Sequence, residues 1–147
     1  ILFASKVELI NVDILKAIAL SKDSVLKNVT ITEVHNYYGI WIETKGQTID
    51  IDGLIMNVTG GRGIAIKDEY ISSPQLVTLN LKNAEFNTKE KAAIMVTSTI
   101  GATIHLENVD IANALADTVN HVWVDTVRPD SFDLVTVNSP FTKVLES

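Results

Sequence analysis

One six-residue phrase recurs along the chain and limits its fold more than any other feature. It reads Leu9-Ile10-Asn11-Val12-Asp13-Ile14, then Leu26-Lys27-Asn28-Val29-Thr30-Ile31, then Ile51-Asp52-Gly53-Leu54-Ile55-Met56. It continues as Leu81-Lys82-Asn83-Ala84-Glu85-Phe86, Leu106-Glu107-Asn108-Val109-Asp110-Ile111 and a degraded Val137-Asn138-Ser139-Pro140-Phe141-Thr142. Apolar residues fall at alternate places within each copy, which is the two-residue period of a strand. The third place holds Asn four times, Gly once and Ser once. These residues accept left-handed backbone or bond locally to it, so each copy is expected to run strand, one-residue bend, strand.

Between copies lies a second short segment with the same period, usually introduced by a small residue: Ala17–Leu20, Gly39–Ile42, Gly63–Ile66, Ala93–Val96 and His121–Val124. The repeat is thus expected to hold three short strands. The bends at 11, 28, 53, 83, 108 and 139 are 17, 25, 30, 25 and 31 residues apart, so strand lengths hold while loop lengths vary. That pattern fits about six stacked coils of parallel strands in one solenoid spanning 1–147, roughly 29 Å long at ~4.8 Å per coil. An antiparallel sandwich would carry Asn-Gly or Asp-Gly turns between adjacent strands, and none joins them here. Helical character is confined to single turns near Thr88–Lys91 and Ala112–Asp117.

The phrase followed by a Gly-Ile-x-Ile strand resembles the right-handed parallel β-helix of the pectate-lyase-like superfamily. This resemblance implies an all-β, single-stranded right-handed solenoid in which the Gly-Ile-x-Ile strands form the first sheet. It also implies a ladder of bend residues stacked inside the coil, formed by Asn11, Asn28, Asn83 and Asn108 and interrupted at Gly53 and Ser139. A buried ladder amide would rule out glycosylation at Asn28-Val29-Thr30 and leave Asn57-Val58-Thr59 as the more exposed sequon.

Alternation points Ile40, Ile42, Ile64, Ile66, Ile94, Val96, Val122 and Val124 inward and Ala19, Trp41, Ala65, Met95 and Trp123 outward. In sugar-cleaving members of the superfamily that outward groove carries clustered acids and a base. Here it holds no ionisable group, and only its downstream edge, Glu43, Lys67, Thr97 and Asp125, is charged. Glu43 and Asp125, three strand spacings apart, would stand ~14 Å from each other. Paired glycosidase carboxylates are roughly 5–9.5 Å apart, so these two make a poor catalytic couple. A cross-strand Glu43–Lys67 attraction is the simpler expectation. The tryptophans are expected either to stack on sugars, to anchor a protein, or to lie under the loops 67–75 and 112–120.

Other candidates are weaker. Asp50 and Asp52 share the outward side of one strand, but two carboxylates fall short of the six to eight oxygens calcium takes. Gly60-Gly61-Arg62-Gly63 lacks the Lys-Ser/Thr ending of a phosphate loop and precedes a strand. His35, His105 and His121 have no metal-ligand spacing, and no Gly-x-Ser-x-Gly elbow occurs. No catalytic set, metal site or cofactor site is therefore expected.

Charge and composition narrow the partners. With 12 basic and 18 acidic residues the net charge is −6, which disfavours nucleic acid. There is no cysteine, and no apolar run approaches the roughly 20 residues of a membrane span. The chain opens Ile1-Leu2-Phe3 without Met, which reads as a processed product or a module of something longer, and Phe141, Val144 and Leu145 are expected to close the apolar bore or meet a neighbour. The segments Lys89–Val96 and Val119–Asp125 are similar to adhesive modules of bacterial cell-wall and S-layer proteins. That similarity implies an extracellular, non-enzymatic structural or adhesive module at the cell surface. Cell-wall or host glycans, or adjacent surface modules, would touch Trp41, Ala65, Met95, Trp123, Glu43, Lys67 and Asp125. Competing readings are a polysaccharide lyase or glycoside hydrolase fragment and a phage fibre component.

Overall fold

The computed structural model describes residues 2–4, 7–33, 38–58, 61–88, 91–112, 121–125 and 132–146. In chain order the strands are β1 (Leu2–Ala4), β2 (Glu8–Ile14), β3 (Ile18–Leu20), β4 (Ser24–Glu33), β5 (Tyr38–Glu43), β6 (Thr48–Val58) and β7 (Arg62–Lys67). They continue as β8 (Val77–Phe86), β9 (Ile94–Thr97), β10 (Ala102–Ile111), β11 (His121–Asp125), β12 (Asp133–Val137) and β13 (Thr142–Glu146). The chain alternates between two open sheets: odd-numbered strands build a seven-stranded first sheet and even-numbered strands a six-stranded second sheet. Every strand pairing is parallel, and no helix occurs among the described residues. Thr88 and Lys91 are not helical, whereas 113–117 lie outside the described residues.

Each of the first five phrases forms one long strand and not two, so a repeat holds one short and one long strand instead of three, while the sixth phrase is split between the end of β12 and the start of β13. The reason lies in the bend. Asn11, Asn28, Gly53, Asn83 and Asn108 have φ of 55°, 51°, 86°, 54° and 53°. A single left-handed residue at the same place in every neighbour lets pairing resume at once, as Lys27↔Asp52 is followed by Val29↔Leu54. The sixth bend is Asn138, φ 47°, and not Ser139, because Glu107 pairs with Val137 and so brings Asn108 opposite Asn138. Ser139 instead accepts the Val109 N–H through Oγ at 3.0 Å.

The asparagine ladder exists, but on the outside. Asn28 Nδ2 donates to Asn11 Oδ1 at 3.1 Å, Asn108 to Asn83 at 3.3 Å and Asn138 to Asn108 at 2.7 Å, and all five asparagines are exposed. A left-handed residue interrupts the in–out alternation, so it and its predecessor both face solvent before Val29 or its equivalents turn back inward. At Gly53 the ladder detours: Asn83 Nδ2 reaches Asp52 Oδ1 at 2.8 Å. The glycosylation argument reverses with it. Asn28 is exposed, while Asn57 is half-buried, donating to Thr32 Oγ1 at 3.4 Å and accepting from Asn87 at 2.7 Å.

Inward side chains of both sheets meet in one apolar core. Ile40, Ile42, Ile64, Ile66, Ile94, Val96, Val122 and Val124 of the first sheet are fully buried, as are Leu26, Ile49, Leu79 and Ile104 of the second. Each such side chain contributes about 1.5–3 kcal/mol by leaving water. The small residues before the first-sheet strands have a steric cause. A Cβ on Gly63 would sit 2.4 Å from Phe86 Cε1, and one on Gly39 2.2 Å from Met56 Sδ, so the ends of β8 and β6 occupy that space. β1 and β13 extend the first sheet at its two edges, pairing with β3 and β11. The segment after Pro140 is thus a strand, and Phe141 packs edge-on against Phe86 with ring centroids 6.1 Å apart.

Two substitutions test this account by urea denaturation. Asn108→Ala should cost about 2 kcal/mol, from left-handed strain plus two lost ladder bonds, whereas Asn108→Gly should cost less because only the bonds are lost. Gly63→Ala should cost about 1–3 kcal/mol by overpacking against Phe86.

Candidate functional site

The outer face of the first sheet carries one column of side chains from successive strands: Ala19, Trp41, Ala65, Met95 and Trp123 are directly paired neighbours. All five point away from the core, yet Ala19, Ala65 and Met95 are buried, at 2%, 0% and 5% exposure. What covers Met95 is charged. The Arg62 guanidinium lies 4.5 Å from the Trp123 ring centroid, and its Nε donates to Met95 Sδ at 3.1 Å. Burial pushes the Arg62 pKa down, with the Tyr38 phenol acting weakly the other way. Arg62 thus lies across β9 to reach a ring on β11 and shields the Met95 position from water.

A second cation organises the other end of the column. Lys67 Nζ sits 5.7 Å from the Trp41 ring centroid and 5.0 Å from that of Tyr38, whose hydroxyl it contacts at 3.2 Å, and it pairs with Glu69 at 2.8 Å. Burial works against the ammonium, but the bonds to Glu69 and Tyr38 outweigh it and hold the Lys67 pKa above the usual lysine value. The same Lys67 bond holds the Glu69 carboxyl below its usual range. Tyr70 follows in left-handed backbone, φ 68°, and is 84% exposed with its ring 6.4 Å from Trp41. The 67–75 segment therefore brings an aromatic ring over the stripe, while 113–120 lie outside the described residues. Trp41 Nε1 is buried and has no hydrogen-bond partner among the described residues.

The downstream edge differs from expectation. Glu43, Lys67 and Thr97 are paired neighbours, with Asp125 beyond them on β11. However, Glu43 makes its ion pair with Lys45 at 3.7 Å, and Lys67 with Glu69, so the expected Glu43–Lys67 attraction is not formed. Each lysine finds an acid two residues away on its own segment. Asp125 lines a shallow depression with Lys67, Asp68, Glu69, Thr97 and Thr99.

Asp68 is the best-connected group on that edge. Its carboxylate accepts from Thr44 Oγ1 at 2.7 Å, from the Thr99 N–H at 2.6 Å and from Thr99 Oγ1 at 2.9 Å, tying three successive turns together. Partial burial would raise its pKa, but the bonds from Thr99, Ser98 and Thr44 hold it below the ordinary aspartate value. The sequence marks Arg62 only as part of Gly60-Gly61-Arg62-Gly63, and Asp68 and Tyr70 only as members of the 67–75 loop. Their roles depend on neighbours some 30 residues away, although Asp68 directly following the Gly63–Lys67 strand was a usable signal.

On the second sheet, Asp50 and Asp52 face solvent and accept from Asn80 Nδ2 and Asn83 Nδ2, both at 2.8 Å. His105 Nδ1 lies 3.1 Å from Asn80 Oδ1, a contact that needs the proton on that nitrogen. Among the described residues no three His, Asp or Glu side chains gather as a metal site would require. His35 lies outside the described residues, and only the backbone pairing of His121 with Thr142 is described.

Asp68 generates a pH prediction with a definite sign. Because its folded pKa is lowered, its stabilisation is complete above the ordinary value of 3.8 and fades as pH falls through the folded value. Asp68→Asn should lower the stability measured by urea denaturation by about 1–3 kcal/mol at neutral pH. That difference from the wild type should shrink steadily on acidification below the ordinary aspartate range. Comparison with known proteins adds no relative: no family model, no curated protein and no solved structure matches the chain.

Proposed function

We propose that the chain is a right-handed parallel β-helix of the pectate-lyase-like kind, serving as a non-enzymatic structural or adhesive module of an extracellular bacterial surface protein. The observation that carries this reading is the way polar side chains are spent. Asn11–Asn28, Asn83–Asn108–Asn138, Thr32–Asn57–Asn87, Asp50–Asn80–His105 and Thr44–Asp68–Thr99 each bond from one strand or turn to the next along the stack. Their polar capacity holds successive strands in register, which is the chemistry of a spacer. Catalysis would instead need acids and bases converging on one point. Two parallel sheets alternating along the chain over a common core are compatible with a wound solenoid.

The contact surface in this reading is the first-sheet face. Tyr70 offers an exposed ring beside the half-buried Trp41, and Trp123 is held rigid under Arg62. Aromatic faces flanked by Lys67, Glu69 and Asp125 suit the alternating apolar and hydroxyl faces of sugars, whether cell-wall or host glycans, or a neighbouring module.

Binding to a glycan array and to purified cell-wall polysaccharides tests the proposal, with product release followed in parallel. The wild type should bind without producing new reducing or unsaturated chain ends. Tyr70→Ala, and Trp41→Ala with Trp123→Ala, should weaken binding at least tenfold. Release of cleaved polysaccharide would sink the non-enzymatic reading. Variants that melt lower yet bind unchanged would show the rings to be packing groups only.

A further inference from the structure

The outer face of the second sheet carries a charge pattern that the proposed function leaves unused. Following the strand register across β2, β4, β6, β8, β10 and β12, one column reads Ile10, Lys27, Asp52, Lys82, Glu107, Val137. Its ends are exposed apolar residues, Ile10 at 47% and Val137 at 55%, and its four central members alternate in sign. Read backwards, the column is apolar, minus, plus, minus, plus, apolar. It is therefore complementary to its own reversal at all six positions.

The adjacent column tolerates the same reversal without being complementary to it. It reads Glu8, Val25, Asp50, Asn80, His105, Val135. Reversal sets Asp50 against Asn80, Val25 against His105 and Glu8 against Val135, so no like charges meet. We propose that this face pairs with the same face of a second copy of the chain, about a two-fold axis parallel to the strands and lying between β6 and β8. Under that operation Asp52 meets the Lys82 of the second copy, Lys27 meets its Glu107, and Ile10 meets its Val137. Because the operation keeps each column opposite itself, one axis satisfies both columns together. A shallow depression bounded by Lys27, Asp50, Asp52, Asn80 and Lys82 lies where the axis crosses the face and receives the incoming side chains.

Charge selects the partner. The chain as a whole carries −6, whereas the column of Lys27, Asp52, Lys82 and Glu107 sums to zero and its neighbour adds the acids Glu8 and Asp50, which meet no like charge on reversal. Within this column, Lys82 and Glu107 form the one ion pair seen among the described residues, at 3.5 Å and well exposed, which leaves its charges accessible to an interface. Six strands ~4.8 Å apart and two or three columns ~7 Å apart give about 500 Å² per copy, the low end of specific interfaces. The pairing is accordingly reversible and concentration-dependent. It needs only the strand register and stands or falls independently of the glycan reading.

Sedimentation velocity over the micromolar to millimolar range tests it, using single and mixed charge reversals. The wild type should shift with concentration from 16.1 kDa toward twice that mass. Lys82→Glu alone and Asp52→Lys alone each place two like-charged pairs on the axis and should weaken dimerisation at least tenfold. An equimolar mixture of the two variants restores every opposite pair and should recover heterodimers near wild-type affinity. The double variant Asp52→Lys with Lys82→Glu remains self-complementary and should dimerise like the wild type, which covers the case of a single variant that does not fold. A wild type monomeric throughout, single variants dimerising at wild-type affinity (a contact at the sheet edges, for instance), or a folded double variant or mixture that stays monomeric would each overturn the proposal.

Discussion

The parallel pairing of successive strands in one fixed register is the constraint from which the other features follow. It survives the sharp bend in every long strand because each neighbour carries a left-handed residue at the same place, Asn28 beside Gly53 and Gly53 beside Asn83. Were one bend shifted by a single residue, inward and outward faces would exchange beyond it, and residues such as Val29 and Leu54 would lose the core. Asparagine suits the position twice over. It tolerates left-handed backbone, and its amide bonds to the next asparagine along the stack.

Fixed register also means that every outward side chain has a neighbour directly above and below it. This turns the surface into columns: asparagines at the bend, alternating charges one residue earlier, and threonine–aspartate links at the turns. On the first sheet the column is apolar, and exposure would be costly. The chain covers it by folding the long cations Arg62 and Lys67 back across the rings of Trp123 and Trp41. Their alkyl stems and flat or hydrogen-bonded heads shield the apolar face while keeping charge close to water.

The Asn/Gly bends and the Gly-Ile-x-Ile segments were readable in advance, because both depend on residues within one repeat. Period-two apolar spacing likewise named the buried Ile40, Ile64 and Ile94. The last bend lies at Asn138 and not at Ser139: the degraded final phrase offers two adjacent candidates, and only pairing with β10 chooses between them. The Thr-Lys-Val-Leu-Glu pattern of β13 alternates poorly and carries no strand signal of its own. Its conformation comes from the free edge of β11.

The sequence by itself determined the repeat, the first five bend positions and which alternate residues enter the core, since backbone preference and alternation act locally. Tertiary structure decided that the asparagine ladder faces solvent, that a long strand spans each of the first five bends, and that Lys67 pairs with Glu69 and not Glu43. It also decided that Arg62 closes over Met95 and Trp123. Those outcomes depend on which side chains stack on which at separations of about 30 residues, a distance across which loop length sets the register and no local signal reaches.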